Sequence, residues 1–455
     1  MKHCLTLFLA ALLALKALAQ SPKTIVAGPM LGHIEFRSGM LWVELEKGAT
    51  GKATAVSPYG KSFTADVTRT TEFGYTIEKH SFYNLEPGTT YKYTLMVQKE
   101  GEKKASVADT GSFTTQTLWQ WRTQAPDFSF LTGSCSFFNE PAYDRPGRGY
   151  GFDSSIFETM AKEKADFMLW LGDNWYTREV DYYSESGLFY RAHATRTYPT
   201  LQNFWKRMSH YAIWDDHDYG PNDADKSYVL KEKSRAIFEN FWTNPSTGFN
   251  GQGIFSKFTW NDVDVFLLDD RYFRSNDDMA DSINGSPNNT KEMFGAMQLD
   301  WLKNALLQSK NNNKISFRII ATGSQVLNPV SPFDCFRKFS KEYNDFLQFL
   351  EQHKIPGVVF FTGDRHHSEV IKVDRAGTYP LYDITSSPLT SGSHKFGGPE
   401  KDNPYRVVGV ENIQNYSRIS FTGNDKNRTM KVEFIDKNGV VLQSWSIAAA
   451  ALRTK

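Results

Sequence analysis

Residues 167–176 read Phe-Met-Leu-Trp-Leu-Gly-Asp-Asn-Trp-Tyr. The apolar run Phe167–Leu171 has the length of a buried strand. Gly172 then introduces Asp173 and Tyr176, whose side chains are of kinds that can bind metal ions. In sheets whose strands alternate with helices, ligands bind beyond the carboxyl ends of the strands. This stretch therefore predicts a strand that ends in a functional site, although a single Gly-Asp pair after a strand is more often a simple turn.

The same arrangement recurs at four further places, where an apolar run ends in polar residues that are able to bind a ligand. These endings are Gly133-Ser134-Cys135, Asp215-Asp216-His217-Asp218, Asp269-Asp270-Arg271 and Gly363-Asp364-Arg365-His366-His367. Five such endings are difficult to explain as surface turns. Together they place Cys, Asp, Tyr and His at one edge of a sheet, which predicts a metal site.

The predicted ligands are of two chemical kinds. Carboxylate and phenolate oxygens are hard ligands, imidazole is intermediate and thiolate is soft, so a mixed set suits a transition metal. A neighbouring all-oxygen set suits a harder ion such as calcium. Two alternatives stay open on the sequence alone. His366 and His367 would also fit a buried hydrogen-bonded pair, and Cys135 would also fit a disulfide with Cys335 in an oxidising compartment.

The chain divides into two regions of different pattern. Apolar runs alternate with helical stretches over residues 128–455, which predicts a large α/β domain. Short alternating segments with turn signals between them predict an antiparallel β-sandwich over residues 20–118, followed by a linker over residues 119–127. Residues 85–91 resemble the turn into a late strand of a fibronectin type III sandwich, with Tyr91 as its corner tyrosine.

Residues 1–19 have the features of a secretory signal peptide. Lys2 precedes an apolar run, and small residues precede a cleavage point after Ala19. The alternatives are a buried helix or a membrane anchor, but the apolar run is too short to span a bilayer. We expect a secreted or periplasmic protein.

Charge and hydropathy exclude other classes. Lys and Arg number 52 against 51 Asp and Glu, a net charge of +1, which argues against a nucleic-acid partner bound through phosphate contacts. No later segment is apolar enough for a transmembrane helix. We expect the protein to be a monomer.

The motifs in combination resemble the PhoD-like alkaline phosphatases. Gly172-Asp173-Asn174-Trp175-Tyr176 is similar to the Gly-Asp-x-x-Tyr signature of purple acid phosphatases, which belong to the calcineurin-like metallophosphoesterases. Asp215-Asp216-His217-Asp218 and Gly363-Asp364-Arg365-His366 stand where that superfamily has Gly-Asn-His-Glu/Asp and Gly-His-x-His. The resemblance implies a metallophosphoesterase β-sandwich flanked by helices, with a small N-terminal sandwich.

The resemblance also implies a role for each site residue. Ferric iron would be bound by Cys135, Asp173, Tyr176 and His366. Calcium would be bound by Asp173, which bridges the two ions, and by Asp216 and Asp364. His217 would face the phosphoryl group, and Arg271 would clamp phosphate oxygens. The implied activity is hydrolysis of phosphomonoesters by a hydroxide held at an Fe³⁺/Ca²⁺ pair.

Two other functions remain open on the sequence. The same metal centre would also cut phosphodiesters, as a phosphodiesterase or a phospholipase D-like enzyme. A non-enzymatic alternative is a cell-surface binding protein, because sandwich domains are often adhesive.

Overall fold

The computed structural model describes residues 24–454, and the predicted signal peptide lies outside this range. No helix within the described range is long and apolar enough to cross a membrane. The strands of the N-terminal region are β1 (Ile25–Ile34), β2 (Gly39–Leu45), β3 (Thr50–Val56), β4 (Ser62–Thr64), β5 (Asp66–Glu72), β6 (Tyr75–Phe82), β7 (Thr90–Gln98) and β8 (Ser106–Thr114).

Strands and helices then alternate, as predicted. The later strands are β9 (Phe128–Gly133), β10 (Phe167–Leu171), β11 (Ser209–Ile213), β12 (Ser256–Trp260), β13 (Val263–Leu267), β14 (Ser282–Ile283), β15 (Ser286–Pro287), β16 (Phe317–Thr322), β17 (Val358–Thr362), β18 (Ser368–Val373), β19 (Leu381–Thr385), β20 (Arg406–Val410), β21 (Asn415–Thr422), β22 (Thr429–Asp436) and β23 (Val441–Ala448). The α-helices are α1 (Ile156–Met160), α2 (Glu185–Arg196), α3 (Leu201–Phe204), α4 (Asp216–Tyr219), α5 (Lys231–Phe241), α6 (Gly295–Asn311) and α7 (Ser340–Gln352). Short 3-10 helices cover Phe336–Lys338, Gly398–Glu400 and Ala449–Leu452.

The largest sheet joins the two regions of the chain. Its ten strands follow the order β23-β22-β21-β9-β10-β11-β1-β2-β6-β5. Strands β9, β10 and β11 run parallel, and every residue of β10 is buried, which confirms the strand predicted over Phe167–Leu171. Strand β1 pairs in parallel with β11 at Leu31 and Ser209, so the N-terminal strands continue the sheet of the α/β region. The predicted domain boundaries stay a prediction.

A second sheet packs against the first. Its seven strands follow the order β12-β13-β16-β17-β19-β18-β20, with β13, β16, β17 and β19 parallel. Aromatic side chains fill the space between the sheets: the ring centroids of Phe130 and Phe361 lie 5.8 Å apart, and those of Phe167 and Phe258 lie 5.4 Å apart. Burial of such large apolar faces is the main stabilising term of a sandwich. The predicted β-sandwich with flanking helices is therefore confirmed.

The N-terminal strands form a smaller sandwich with a core of its own. A sheet in the order β4-β3-β7-β8 packs on β1, β2 and β6, where the rings of Phe82 and Phe113 lie 5.6 Å apart. The hydroxyl of Tyr91 accepts a hydrogen bond of 2.7 Å from the backbone N–H of Glu86. This contact is the predicted tyrosine corner.

Candidate metal centre

Four predicted ligands meet where strands β9, β10 and β17 end. The donor atoms of Cys135, Asp173 and His366, here called the first donor group, lie within 4.8 Å of one another. Cys135 Sγ is 3.5 Å from Asp173 Oδ2. The hydroxyl of Tyr176 lies 2.9 Å from the same oxygen and 3.3 Å from His366 Nε2. The predicted mixed thiolate, carboxylate, phenol and imidazole set therefore exists as a cluster.

A second donor group shares Asp173. The donor atoms of Asp173, Asp216 and His217 lie within 4.8 Å of one another, and Asp216 is the first residue of α4, directly beyond β11. The carboxylate of Asp216 also accepts a hydrogen bond of 2.7 Å from the backbone N–H of Asp223. Asp364 belongs to neither group but lines the same cleft as Asp173 and Asp216. Asp173 is therefore shared by the two donor groups.

The backbone bends sharply at these residues. Cys135, Asp173, Asp364 and His366 all have a left-handed backbone, with φ of 62°, 51°, 64° and 56°. This conformation is uncommon outside glycine, and such residues concentrate at functional sites because surrounding contacts have to hold them. Each of these residues lies just beyond the end of a strand.

The first donor group and Tyr176 bring several acidic side chains together in a buried place. Burial, followed by the charges of Cys135 and Asp216, raises the pKa of Asp173 well above its ordinary value. Burial raises the pKa of the Cys135 thiol to about 11 and also raises the pKa of Tyr176. Within residues 24–454, no Lys or Arg forms a salt bridge with Asp173, and its Oδ1 atom is buried without a hydrogen-bond partner. A buried set of this kind fits bound cations, which reverse the pKa shifts of their ligands.

Hydrogen bonds of Ser387 and Gly392 hold the first donor group in place, and the sequence did not predict them. The hydroxyl of Ser387 donates to Cys135 Sγ at 3.1 Å and accepts from the backbone N–H of His366 at 2.9 Å. His366 Nδ1 lies 2.5 Å from the carbonyl oxygen of Gly392, which leaves Nε2 to face Tyr176. Hydrogen bonds of this kind fix the orientation of metal-binding imidazoles. The signal for Ser387 was available, because it follows the apolar strand β19.

His217 belongs to the second donor group and also lines the cleft. Its ring centroid is 4.2 Å from that of Tyr176, and burial lowers its pKa. Its Nδ1 atom has no hydrogen-bond partner among residues 24–454. A neutral imidazole that lines the cleft suits the predicted role toward the phosphoryl group, which stays a prediction.

Arg271 has contacts that its predicted role did not include. Its guanidinium is almost fully buried and bonds Asp215 Oδ1 at 2.6 Å and Asp334 Oδ2 at 3.0 Å. It lies 4.0 Å from Asp216 Oδ1. These contacts tie Arg271 to the carboxylates behind the second donor group. The phosphate clamp predicted for it stays a prediction.

The geometry distinguishes between metal binding and the two alternatives, a disulfide for the cysteines and a hydrogen-bonded pair for the histidines. Cys135 and Cys335 are both free and buried, so the disulfide alternative is wrong. Cys335 Sγ instead lies 3.7 Å from the carbonyl oxygen of Val326. His366 and His367 point to different partners, because His367 Nε2 lies 3.4 Å from Glu369. Only His366 joins the first donor group.

This fold, with metal-ligand side chains at its strand ends, defines a metallophosphoesterase. A search against known families finds a match to the PhoD-like phosphatases over residues 130–443. The chain belongs to the PhoD-like phosphatase family, whose members are hydrolases that act on phosphoric esters. The resemblance read from the motifs is thereby confirmed, and it argues against a cell-surface binding protein.

Known proteins agree with this assignment. Alkaline phosphatase D of Bacillus subtilis (strain 168) is 25% identical over 325 residues, which are 62% of this chain and 52% of that protein. The chain thus matches about half the length of this curated relative. The solved structure of PhoD has a TM-score of 0.73 at 18% identity and covers 95% of this chain and 92% of its own. Purple acid phosphatase PPD1 from yellow lupin (Lupinus luteus) seeds has a TM-score of 0.68 at 10% identity, with 92% and 74% covered. These two structures support the fold.

Proposed function

We propose that this chain is a secreted phosphoesterase that hydrolyses phosphomonoesters at a binuclear metal centre. One observation carries the proposal. Asp173 belongs to both donor groups, and it is a buried carboxylate without a salt-bridge partner among residues 24–454. A carboxylate in this position is suited to hold two cations a few ångströms apart.

The two proposed ligand sets differ in hardness, which suggests a different ion for each. A thiolate, a phenolate and an imidazole beside one carboxylate suit Fe³⁺, and carboxylates alone suit Ca²⁺. The proposed iron ligands are Cys135, Asp173, Tyr176 and His366, and the proposed calcium ligands are Asp173, Asp216 and Asp364. When bound, the ions would supply positive charge toward phosphoryl oxygens and would lower the pKa of a bound water.

The protein's own side chains would prepare this site. Ser387 and Gly392 hold Cys135 and His366 in one orientation through the hydrogen bonds described above. His217 lines the cleft, and its ring would donate a hydrogen bond to an ester oxygen. Arg271 would hold Asp215, the residue before Asp216, in place.

Hydrolysis of p-nitrophenyl phosphate tests the proposal. We expect the metal-loaded protein to hydrolyse it, and we expect a chelator to abolish the activity and added ions to restore it. Iron bound by phenolate and thiolate should also colour the protein, so Tyr176→Phe and Cys135→Ser should change its visible spectrum. Metal-loaded protein that hydrolyses neither this monoester nor its bis ester would contradict the proposal.

A second candidate is a phosphodiesterase, which the shape of the site favours. Asp173, Asp216 and His366 line a cleft of about 620 Å³. This cleft shares Tyr150, His217 and Asn222 with a second cleft of about 810 Å³, so there is room for a substituent on each side of a phosphorus atom. The ratio of kcat/KM for p-nitrophenyl phosphate to that for its bis ester discriminates between the two. A large excess for the bis ester would make the diester the substrate class.

Export and oligomeric state complete the proposal. The signal peptide over residues 1–19 would be cut after Ala19 by the general secretory pathway. Amino-terminal sequencing of the exported protein should begin at Gln20, and a start at Met1 would contradict the cleavage. Analytical ultracentrifugation should give the mass of a monomer.

A further inference from the structure

Tyr150 lies between two clefts beside the donor groups. The larger cleft, about 810 Å³, runs beside the loop that precedes α1, and the smaller, about 620 Å³, contains Asp173, Asp216 and His366. Tyr150, His217 and Asn222 line both clefts. A substrate that reaches the donor groups from either side therefore passes Tyr150.

The chain fixes the position of Tyr150 through its neighbours. The side-chain amide of Asn139 donates to the carbonyl oxygen of Gly151 at 2.7 Å, and its oxygen accepts from the N–H of Gly151 at 2.9 Å. A Cβ atom at Gly151 would lie 2.7 Å from the carbonyl oxygen of Phe137, and one at Gly149 would lie 2.8 Å from the Asn139 side chain. Gly151 is therefore required by close approach to backbone, and Gly149 leaves room for the Asn139 side chain. The ring of Tyr150 also packs edge-on against Phe137, with centroids 5.2 Å apart.

The hydroxyl of Tyr150 is a hydrogen-bond donor without an acceptor among residues 24–454. Its only hydrogen-bond contact within residues 24–454 is His366 Nδ1, at 3.2 Å. With Nε2 of His366 facing the metal site, Nδ1 carries the hydrogen and donates it to Gly392, whose oxygen is closer, at 2.5 Å. Nδ1 then cannot accept from the phenol. A positioned donor without an acceptor, in a cleft lined by ligand side chains, is suited to bind an anion.

We propose that Tyr150 is a substrate-binding residue whose hydroxyl donates a hydrogen bond to a non-bridging oxygen of the phosphoryl group. Asn139 is the positioning residue that holds it there. The proposal rests on the proposed function, because it assumes that a phosphate ester occupies the meeting point of the clefts. The contact exists with bound ester and with the released phosphate alike.

The test measures binding of inorganic phosphate to metal-loaded protein by calorimetry, together with ester hydrolysis. Tyr150→Phe keeps the ring and its packing on Phe137 and removes only the hydroxyl. We expect it to raise the Kd for inorganic phosphate by about tenfold to a hundredfold and to lower kcat/KM by a similar factor, with bound metals unchanged. Asn139→Ala should have the same effects in the wild-type background but add little to Tyr150→Phe, because both changes remove one contact.

Ser391→Ala is the matched control. Ser391 places another hydroxyl 3.0 Å from His366 Nδ1 but lines neither cleft, so it reports any effect that is transmitted through His366. An unchanged Kd for phosphate in Tyr150→Phe would overturn the proposal. Loss of iron in Tyr150→Phe, reproduced by Ser391→Ala, would also overturn it. If wild-type protein binds phosphate but hydrolyses no ester, the proposed function fails, while the Kd values still decide the role of Tyr150.

Discussion

Two buried groups of metal-ligand side chains lie side by side in this molecule. The first donor group contains His366, and a second set, here called the ion-pair group, consists of His367, Glu369 and Glu400. Both bring their ligand atoms within 4.8 Å of one another. Arginines neutralise only one of them: Arg406 bonds Glu369 at 2.7 Å, and Arg365 bonds Glu400 at 2.7 Å.

The carboxyl pKa values of the two groups shift in opposite directions. Against the cost of burial, hydrogen bonding to His367 and the charge of Arg406 hold the pKa of Glu369 at about 2. Burial, followed by the charges of Cys135 and Asp216, raises the pKa of Asp173, in the first donor group, well above its ordinary value. Ligand type and spacing therefore do not identify a metal site. The missing positive charge does, because a buried carboxylate needs a countercharge from either the chain or an ion.

Asp173→Asn should have the largest effect. Loss of the shared carboxylate should release both ions and lower kcat/KM by about 1,000-fold, because several kcal/mol of charge stabilisation are lost. Metal analysis and steady-state kinetics on the same sample check this. Glu369→Gln is the matched control in the ion-pair group and should retain both ions. If both variants retained their ions, the comparison would be wrong.

Arg406→Gln should break the ion-pair group instead. It leaves Glu369 buried without its arginine partner, so the free energy of unfolding should fall by about 3 kcal/mol. Denaturant unfolding of the metal-loaded protein measures the change, and the bound metals should stay in place. A stable variant that had gained a metal ion would show that Glu369 is a ligand held back by the arginine.

Ser387→Ala should weaken the metal centre without removing a ligand. Its hydroxyl holds Cys135 and His366, and loss of such an outer contact typically lowers metal affinity by about tenfold to a hundredfold. Competition with a chelator measures the affinity for iron. Ser136→Ala is the control, because the Ser136 hydroxyl has no hydrogen-bond partner among residues 24–454. Equal affinities in the two variants would contradict the role of Ser387.

The stability of metal-free protein should depend on pH in two opposite ways. The raised pKa of Asp364 gives a contribution that is present below about 3.8 and is lost as the pH rises through about 6. The lowered pKa of Glu369 gives a contribution that is present above about 4.5 and is lost as the pH falls through about 2. Thermal unfolding across this range should show a loss of stability at higher pH and another at lower pH. Burial also raises the pKa values of Asp269 and Asp383 to about 6, so these groups contribute to the same loss at higher pH. Asp364→Asn should therefore reduce that loss and leave the loss at lower pH unchanged, and an unreduced loss at higher pH would contradict the assignment.

Much of the site could be predicted from the sequence, because its residues follow apolar strands. Asp173 and Tyr176 come directly after β10, and the parallel strands bring their neighbours to the same edge. The different surroundings of His366 and His367 could not be predicted, because Glu369 contacts Arg406 and Gln325, which are distant from it in sequence. Tyr150 was equally hidden, because it belongs to a loop that long-range contacts hold in place. The pairing of β1 with β11 depends on the same kind of distant contact.

Metal content and activity measured on one sample test the central claim most directly. We expect each chain to bind one iron and one calcium ion, and we expect activity to disappear and return together with them. In Asp173→Asn both ions and the activity should be absent, while Glu369→Gln should keep them. Wild-type protein that hydrolyses phosphate esters at full rate without any bound metal would contradict the account.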